Sequence, residues 1–317
     1  MNNMNRINKK GFEFSFGWIF AIIVGAAILF LAIYGVTKIA GGERKVQESE
    51  TAKELGALLS PLETALEEGK IAKATFSTET RINNDCVNIG TFGEQRISVS
   101  SKSSIGEEWT SGGVASKYPN KYLFSSKVIE GKSISILSKP FDMPFKVADL
   151  MFIWSDKEKY CFVNPIEEIE EEMTNLKPEG ISIVSSISDC PANTIKVCFG
   201  GGGNCNVVVD TNSKSVIRGA NAMYYEGALV YGAIFSSSDL YECQVKRIVK
   251  RTAELIKIYK LKSQKLVSFG CSSNLDSQLD DIDNLIKNFE DSENLAGIYS
   301  SAEQLNERNE KLECKLF

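Results

Sequence analysis

From Phe14 to Thr37 the chain runs for 24 residues without a charge, FSFGWIFAIIVGAAILFLAIYGVT. As a helix this stretch rises about 36 Å at about 1.5 Å per residue, enough to cross a hydrocarbon core of about 30 Å. Lys9 and Lys10 precede it, Lys38 follows it, and Trp18 and Tyr34 stand toward the two ends, where amphipathic rings settle at membrane interfaces. It is too long for the apolar part of a cleaved secretory signal, about 7–15 residues. A buried core helix seldom stays apolar all round for such a length. The sequence therefore predicts a basic tail over 1–13 and a single transmembrane helix over 14–37, with the lipid bilayer as first partner.

Orientation rests on two features. The tail carries Arg6, Lys9 and Lys10 with no acid before Glu13, which favours a cytoplasmic amino terminus by the positive-inside bias. All eight cysteines, Cys86, Cys161, Cys190, Cys198, Cys205, Cys243, Cys271 and Cys314, follow the apolar run. An even number confined to one side reads as disulfides, which persist in oxidising compartments. The expected localisation is the cell membrane, with the tail in the cytoplasm and the remainder an extracellular ectodomain.

The chain has no histidine. That removes the usual general base near neutral pH and the commonest metal ligand. Ser-His-Asp and Cys-His arrangements cannot be built, and neither G-x-S-x-G nor S-x-x-K occurs. The cysteines lack C-x-x-C spacing, so no zinc site is expected. Asp280, Asp281 and Asp283 lack the loop glycine and terminal glutamate of an EF-hand and read as surface. With Arg6, Lys9, Lys10 and Lys38 against Glu13 in residues 1–40, the net charge of -5 leaves about -8 on the rest, the opposite of a nucleic-acid footprint. No catalytic residue, cofactor site or metal site is predicted, and no nucleic-acid partner.

Lys9-Lys10-Gly11 directly before Phe12-Glu13-Phe14 and a long apolar helix resembles the class III signal of type IV pilin-like proteins, especially archaeal membrane-anchored ones. The resemblance covers about thirty residues. It implies that Lys9 and Lys10 are basic recognition residues, Gly11 the residue before a peptidase cut and Phe12 the new terminus. Pilins usually place a glutamate at the fifth mature position; here that position is Phe16, and Glu13 is second.

Beyond the apolar run, Gly41-Gly42 predicts a break at the membrane surface. Residues 38–74 read as a helical stalk, with Val46, Leu55, Leu58 and Leu59 on one sparse face and a fresh start at Ser60-Pro61. Residues 75–237 carry short β-favouring runs between turn signals. Three hairpins are expected: around Glu130-Gly131, around Ser155–Lys159, and around the glycines at 200–203. Asn164-Pro165 predicts a helix start followed by acids Glu167, Glu168, Glu170 and Glu171, a solvated face. The four glycines lack the lysine and spacing of a phosphate loop; Cys198 and Cys205 beside them pair with each other, or one of them pairs with Cys190.

Residues 238–317 turn helical. A basic helix opening at Asp239 is followed by two acidic ones, which suggests an antiparallel bundle with complementary charge. An up-down-up arrangement brings Cys271 and Cys314 to the same end, so they are expected to pair. The expected fold is α+β: one transmembrane helix, a mixed antiparallel β/α ectodomain and a C-terminal antiparallel helical bundle. The expected function is a membrane-anchored cell-surface protein with a structural or interaction role, binding another envelope protein or itself. A pilin-like subunit processed after Gly11 is one alternative, and a surface hydrolase using carboxylates another.

Overall fold

The computed structural model describes residues 16–59, 69–102, 108–110, 112–201 and 203–317. Two units emerge, residues 1–47 and 48–317. Helix α1 (Phe16–Leu59) is 44 residues long. Its part in the first unit leaves Trp18, Phe20, Ile28, Leu29, Phe30 and Leu31 exposed. The helix does not break at Gly41-Gly42 as expected, but continues through Lys38, Glu43, Arg44 and Lys45. Among the described residues no helix is long and apolar enough to cross a membrane. The expected transmembrane helix over 14–37, with its cytoplasmic tail and extracellular ectodomain, is corrected by this finding. Its first two residues lie outside the described part, and from Phe16 onward the apolar run is one portion of a longer helix that turns polar without an end. The expected helix start at Pro61 also lies outside the described residues.

In the second unit, six strands form a first sheet: β1 (Lys70–Val87), β2 (Glu94–Ser101), β3 (Ser116–Tyr118), β4 (Tyr122–Phe124), β5 (Val128–Asp142) and β6 (Lys146–Ser155), in the order β3-β2-β1-β5-β6-β4. All neighbours are antiparallel except β4 and β6. Side chains alternate across a strand, and β6 uses both sides. Leu150, Phe152 and Trp154 enter the larger core, while Met151 and Ile153 enter a smaller one. That smaller core is closed by Ala52, Leu55 and Leu59 of α1, spaced three and four residues apart on one helical face. The first sheet is thus a partition with apolar packing on both faces.

Six more strands form the second sheet: β7 (Tyr160–Val163), β8 (Ile181–Val184), β9 (Ile195–Phe199), β10 (Val207–Asp210), β11 (Ser215–Arg218) and β12 (Asn221–Tyr224), in the order β12-β11-β10-β9-β7-β8. Helix α2 (Glu167–Leu176) connects β7 to parallel β8. Helices α3 (Leu229–Phe235), α4 (Ser238–Val267), α5 (Asp276–Lys287) and α6 (Leu295–Glu310) follow. Residues of both sheets and of α2 to α6 share the larger core, where Trp154 stacks on Phe235 at 5.0 Å between centroids. Burying one such side chain contributes about 1.5–3 kcal/mol. The other face of the second sheet carries a small cluster of Cys161, Val163 and Cys198 with Cys190, Cys205, Val184 and Ile187.

Several expectations are corrected by this topology. The β region is not antiparallel: both sheets are mixed, with β4–β6 parallel in the first and β7–β8, β7–β9 and β9–β10 parallel in the second. Helix α4 packs on β1, β4, β6 and β12 as well as on α5, so the C-terminal helices belong to the common core. Glu130-Gly131 does not turn; β5 runs straight through it. Ser155–Lys159 carries the chain from one sheet to the other. Asn164 is not an N-cap: it takes φ 51, and α2 starts at Glu167 after Ile166. Most unusual is the glycine-rich connection, where β9 and β10 pair in parallel, Val197 opposite Val207. Parallel neighbours ordinarily need a crossover of a dozen or more residues. The short return here is made by Gly200, Gly201 and Gly203 at φ 87, 80 and 84, a region favouring glycine, and by the Cys198–Cys205 bond beside them.

Candidate functional site

Residues 9–12, the expected processing site, lie outside the described part. The cysteines form four disulfides and leave none free: Cys86–Cys243, Cys161–Cys190, Cys198–Cys205 and Cys271–Cys314, with Cα atoms 5.8–6.1 Å apart. Cys190 is therefore the partner of Cys161 rather than of Cys198 or Cys205. Cys86–Cys243 ties β1 to α4 across 157 residues of sequence. No group of described residues could hold a metal ion; Asp280 pairs with Lys260, and Asp283 with Lys287 at 2.8 Å.

Three cations of α4, Arg247, Lys250 and Arg251, bond to carbonyls of the first sheet and its loops. Arg247, fully buried, donates to the carbonyls of Phe92 (3.1 Å), Lys121 (2.9 Å), Pro119 (3.0 Å) and Tyr118 (3.4 Å), and to Gln244 Oε1 (2.7 Å). Its guanidinium lies 4.7 Å from the Tyr122 ring centroid, and burial lowers its pKa to about 10. Gln244 donates to Gln95 and to the Leu123 carbonyl, and Gln95 donates to Asn84. Lys250 reaches the carbonyls of Asn88 and Gly90, and Arg251 that of Val147. Among these residues the complementarity is with loop and strand carbonyls; across to α5, Lys260 pairs with Asp280.

A cleft of about 870 Å³ is formed by α2, the end of β5, the segment from β12 into α3, the β10–β11 turn and α6. Its position follows from local sequence. In α2, Ile169 and Met173 face the core, which turns Glu168, Glu171 and Glu172 toward the cleft. Lys214, at φ 49 in the β10–β11 turn, is held beside Tyr225 by a backbone bond from Tyr225 N–H to its carbonyl (2.9 Å). Gly227 takes φ 51 where the chain enters α3, and a Cβ there would lie 3.4 Å from the Tyr299 hydroxyl. Gly69 closes one side; a Cβ on it would approach Glu172 Oε1 to 2.9 Å.

Two lysines line this cleft, and both are paired. Lys139 Nζ lies 2.7 Å from Glu172 Oε2 and 5.1 Å from the Tyr231 ring centroid, and the Tyr231 hydroxyl donates to the same carboxylate oxygen. Lys214 Nζ lies 2.5 Å from Glu226 Oε2 and 5.9 Å from the Tyr299 ring. Asp142, Glu168 and Glu171 also line the cleft and make no ion pair with the described residues. Burial raises Tyr225 to about 12, helped by Asp210 and Glu226; burial and then Glu172 raise Tyr231; burial and then Glu303, Glu226 and Asp142 raise Tyr299. Desolvation holds the Asp142 carboxyl above its usual range against the opposing charge of Lys146, although its side chain is open to solvent. The acidic run of α2, expected to be a solvated face, thus supplies one wall of the cleft. Its i, i+3, i+4 spacing of Glu168, Glu171 and Glu172 around Ile169 was the available signal. Nothing in the sequence placed Tyr225, Tyr231, Tyr299 or Lys139 beside it.

The chain matches no known protein family, no characterised protein and no solved structure.

Proposed function

We propose that this chain is a structural or interaction protein that holds another envelope component, or a second copy of itself, and that the cleft between α2 and α6 is where it does so. The observation that carries this is the state of the cleft's polar groups. Lys139, Glu172 and Tyr231 are locked to one another, as are Lys214 and Glu226, while the open carboxylates stand exposed on a helix surface. Such an arrangement offers a shaped, charged wall and no nucleophile–base pair. Four disulfides fit a body that works in an oxidising compartment, where they persist. The test is affinity capture with the immobilised body. A partner, or the chain itself, should be retained by the unaltered protein and released when Tyr299→Leu and Glu171→Gln are combined. Retention unchanged by those substitutions would move the interaction elsewhere, and turnover of an ester, amide or glycoside library would replace the proposal with an enzyme.

A second function is favoured by one observation, the run of exposed large apolar side chains on α1 from Trp18 to Val36. A subunit cut after Gly11 could cover them by packing α1 against copies of itself. A mature amino terminus at Phe12 would support this, and an intact Lys9-Lys10-Gly11 segment would remove it.

A further inference from the structure

We infer that the cleft binds a lysine- or arginine-bearing segment of a polypeptide, its cationic head among Asp142, Glu168 and Glu171 and its aliphatic stem along Tyr299 and Ile166. This rests on the proposed interaction role and specifies the partner's chemistry. Three independent features of the site converge on it.

The first is shape. A cleft of about 870 Å³, open to solvent, exceeds what one small ion needs and lies in the range of about 300–1,000 Å³ that organic ligands occupy. The second is charge. Glu172 and Glu226 already neutralise Lys139 and Lys214, so the unmatched charge is that of three carboxylates, and an anionic ligand would meet repulsion on entry. The third is the walls. Tyr299 and Ile166 offer the open aromatic and aliphatic surface, while Phe141, Tyr225, Val230 and Tyr231 are buried. Ile166 is exposed where α2 begins. Carboxylates beside aromatic faces and aliphatic surface suit a charge carried on a hydrocarbon stem, since the ring faces attract the cation and the stem covers apolar area. A hydrated metal ion would use only the first of these. The tyrosines already host cations at 5–6 Å from their rings, Lys139 over Tyr231 and Lys214 over Tyr299, so the walls show the same contact within the chain.

The experiment uses the full chain with its disulfides intact and a blocked pentapeptide of alternating lysine and glycine as probe, followed by calorimetry or fluorescence polarisation at low and moderate salt. Control probes are the same peptide with glutamate for lysine, and spermidine. Saturable binding of the lysine peptide is expected, weakening with salt, with no binding of the glutamate peptide. The triple variant D142N/E168Q/E171Q should weaken it about tenfold, on the scale of several solvent-exposed ion pairs acting together. Tyr299→Leu should weaken it about threefold, the scale of one exposed cation–π contact. A triple variant of equal charge change off the cleft, D281N/E290Q/E313Q, should leave it within a factor of two. Equal weakening by both triple variants would show nonspecific attraction and overturn the inference. Binding of spermidine without the peptide would overturn it in favour of a small polyamine. If the chain captures a partner through the cleft yet binds no cationic probe, the interaction role stands and the inference alone fails; if nothing is captured either, both fail. Thermal unfolding of each variant, unchanged from the parent, keeps these outcomes separate from misfolding.

Discussion

The seam between α4 and the first sheet and the cleft beside α2 are both rich in polar side chains, and they are built on opposite plans. In the seam Gln95, Gln244 and Arg247 are fully buried, and their donors end on named carbonyls or amides of the same chain. In the cleft Glu168, Glu171 and Asp142 stand open, with no ion pair among the described residues. A buried polar group is tolerated when its hydrogen bonds are satisfied internally; an exposed one left over is free to meet something else. The seam is therefore read as structure and the cleft as recognition.

The largest expected effect is at the covalent part of the seam. Replacing Cys86 and Cys243 by alanine opens a loop spanning 157 residues, and on the chain-entropy argument this lowers stability by about 5 kcal/mol. Urea unfolding of the oxidised protein checks it; a loss below about 1 kcal/mol would mean that the Gln95–Gln244–Arg247 network alone fixes α4. Next is Arg247→Ala, which strips donors from the Phe92, Lys121 and Pro119 carbonyls at once. About 3 kcal/mol is expected, because each unsatisfied buried group costs about 1–3 kcal/mol and water entering the gap recovers part. Arg247→Lys should restore less than half, since an ammonium cannot reproduce the fork. Smaller again is Cys198→Ala with Cys205→Ala. Its loop spans only 7 residues, so about 2.5 kcal/mol is expected, with faster amide exchange confined to β9 and β10. Global destabilisation without local exchange would show that the disulfide does not hold the parallel return.

The unequal legibility of these regions has a physical cause. The α4 helix and its basic character were readable, because apolar residues recur at Tyr241, Val245, Ile248, Val249, Leu255, Ile256 and Tyr259 with helical spacing; five are buried, and Leu255 and Tyr259 are partly buried against the core. What Arg247 touches was not readable, since its acceptors are carbonyls, which every residue carries. Strands β7 to β10 of the second sheet were visible as apolar runs, whereas β11 and β12 were not, and the pairing of β9 with β10 was misjudged. Val207 to Asp210 looks the same in sequence whether it returns antiparallel or in parallel, and the decision lies in the φ angles of Gly200, Gly201 and Gly203. Likewise Glu130-Gly131 and the run after Trp154 carry turn-prone residues, and only the continuity of β5 and the division between sheets show what each does. The cleft was legible only in part. Its acidic wall is one short helix, whereas its rings come from Tyr225, Tyr231 and Tyr299, brought together by the fold over a separation no local pattern reveals.

The smallest effect gives the sharpest test of the cleft's side of the comparison. Asp142 has a folded-state pKa above its usual value, first because of desolvation, with Lys146 opposing. A carboxyl raised on folding holds its proton in the native state over a pH window where the unfolded chain has already lost it. Native stability is then favoured below the unfolded pKa and falls as pH rises through the folded one. Asp142→Asn removes that dependence. The variant should melt slightly higher than the parent at neutral pH, and the gain should vanish on acidification below the usual carboxylate range. Removing this charge should also lower the Tyr299 phenol toward its ordinary value, since Asp142 is one of the acids raising it, and an ultraviolet titration would register that shift. A paired structural carboxylate, like those expected in a satisfied seam, behaves in the reverse sense: its loss destabilises at neutral pH and matters least in acid. Melting curves of the two proteins across pH 3 to 8 therefore decide whether Asp142 is surplus charge awaiting a cation or part of the scaffold.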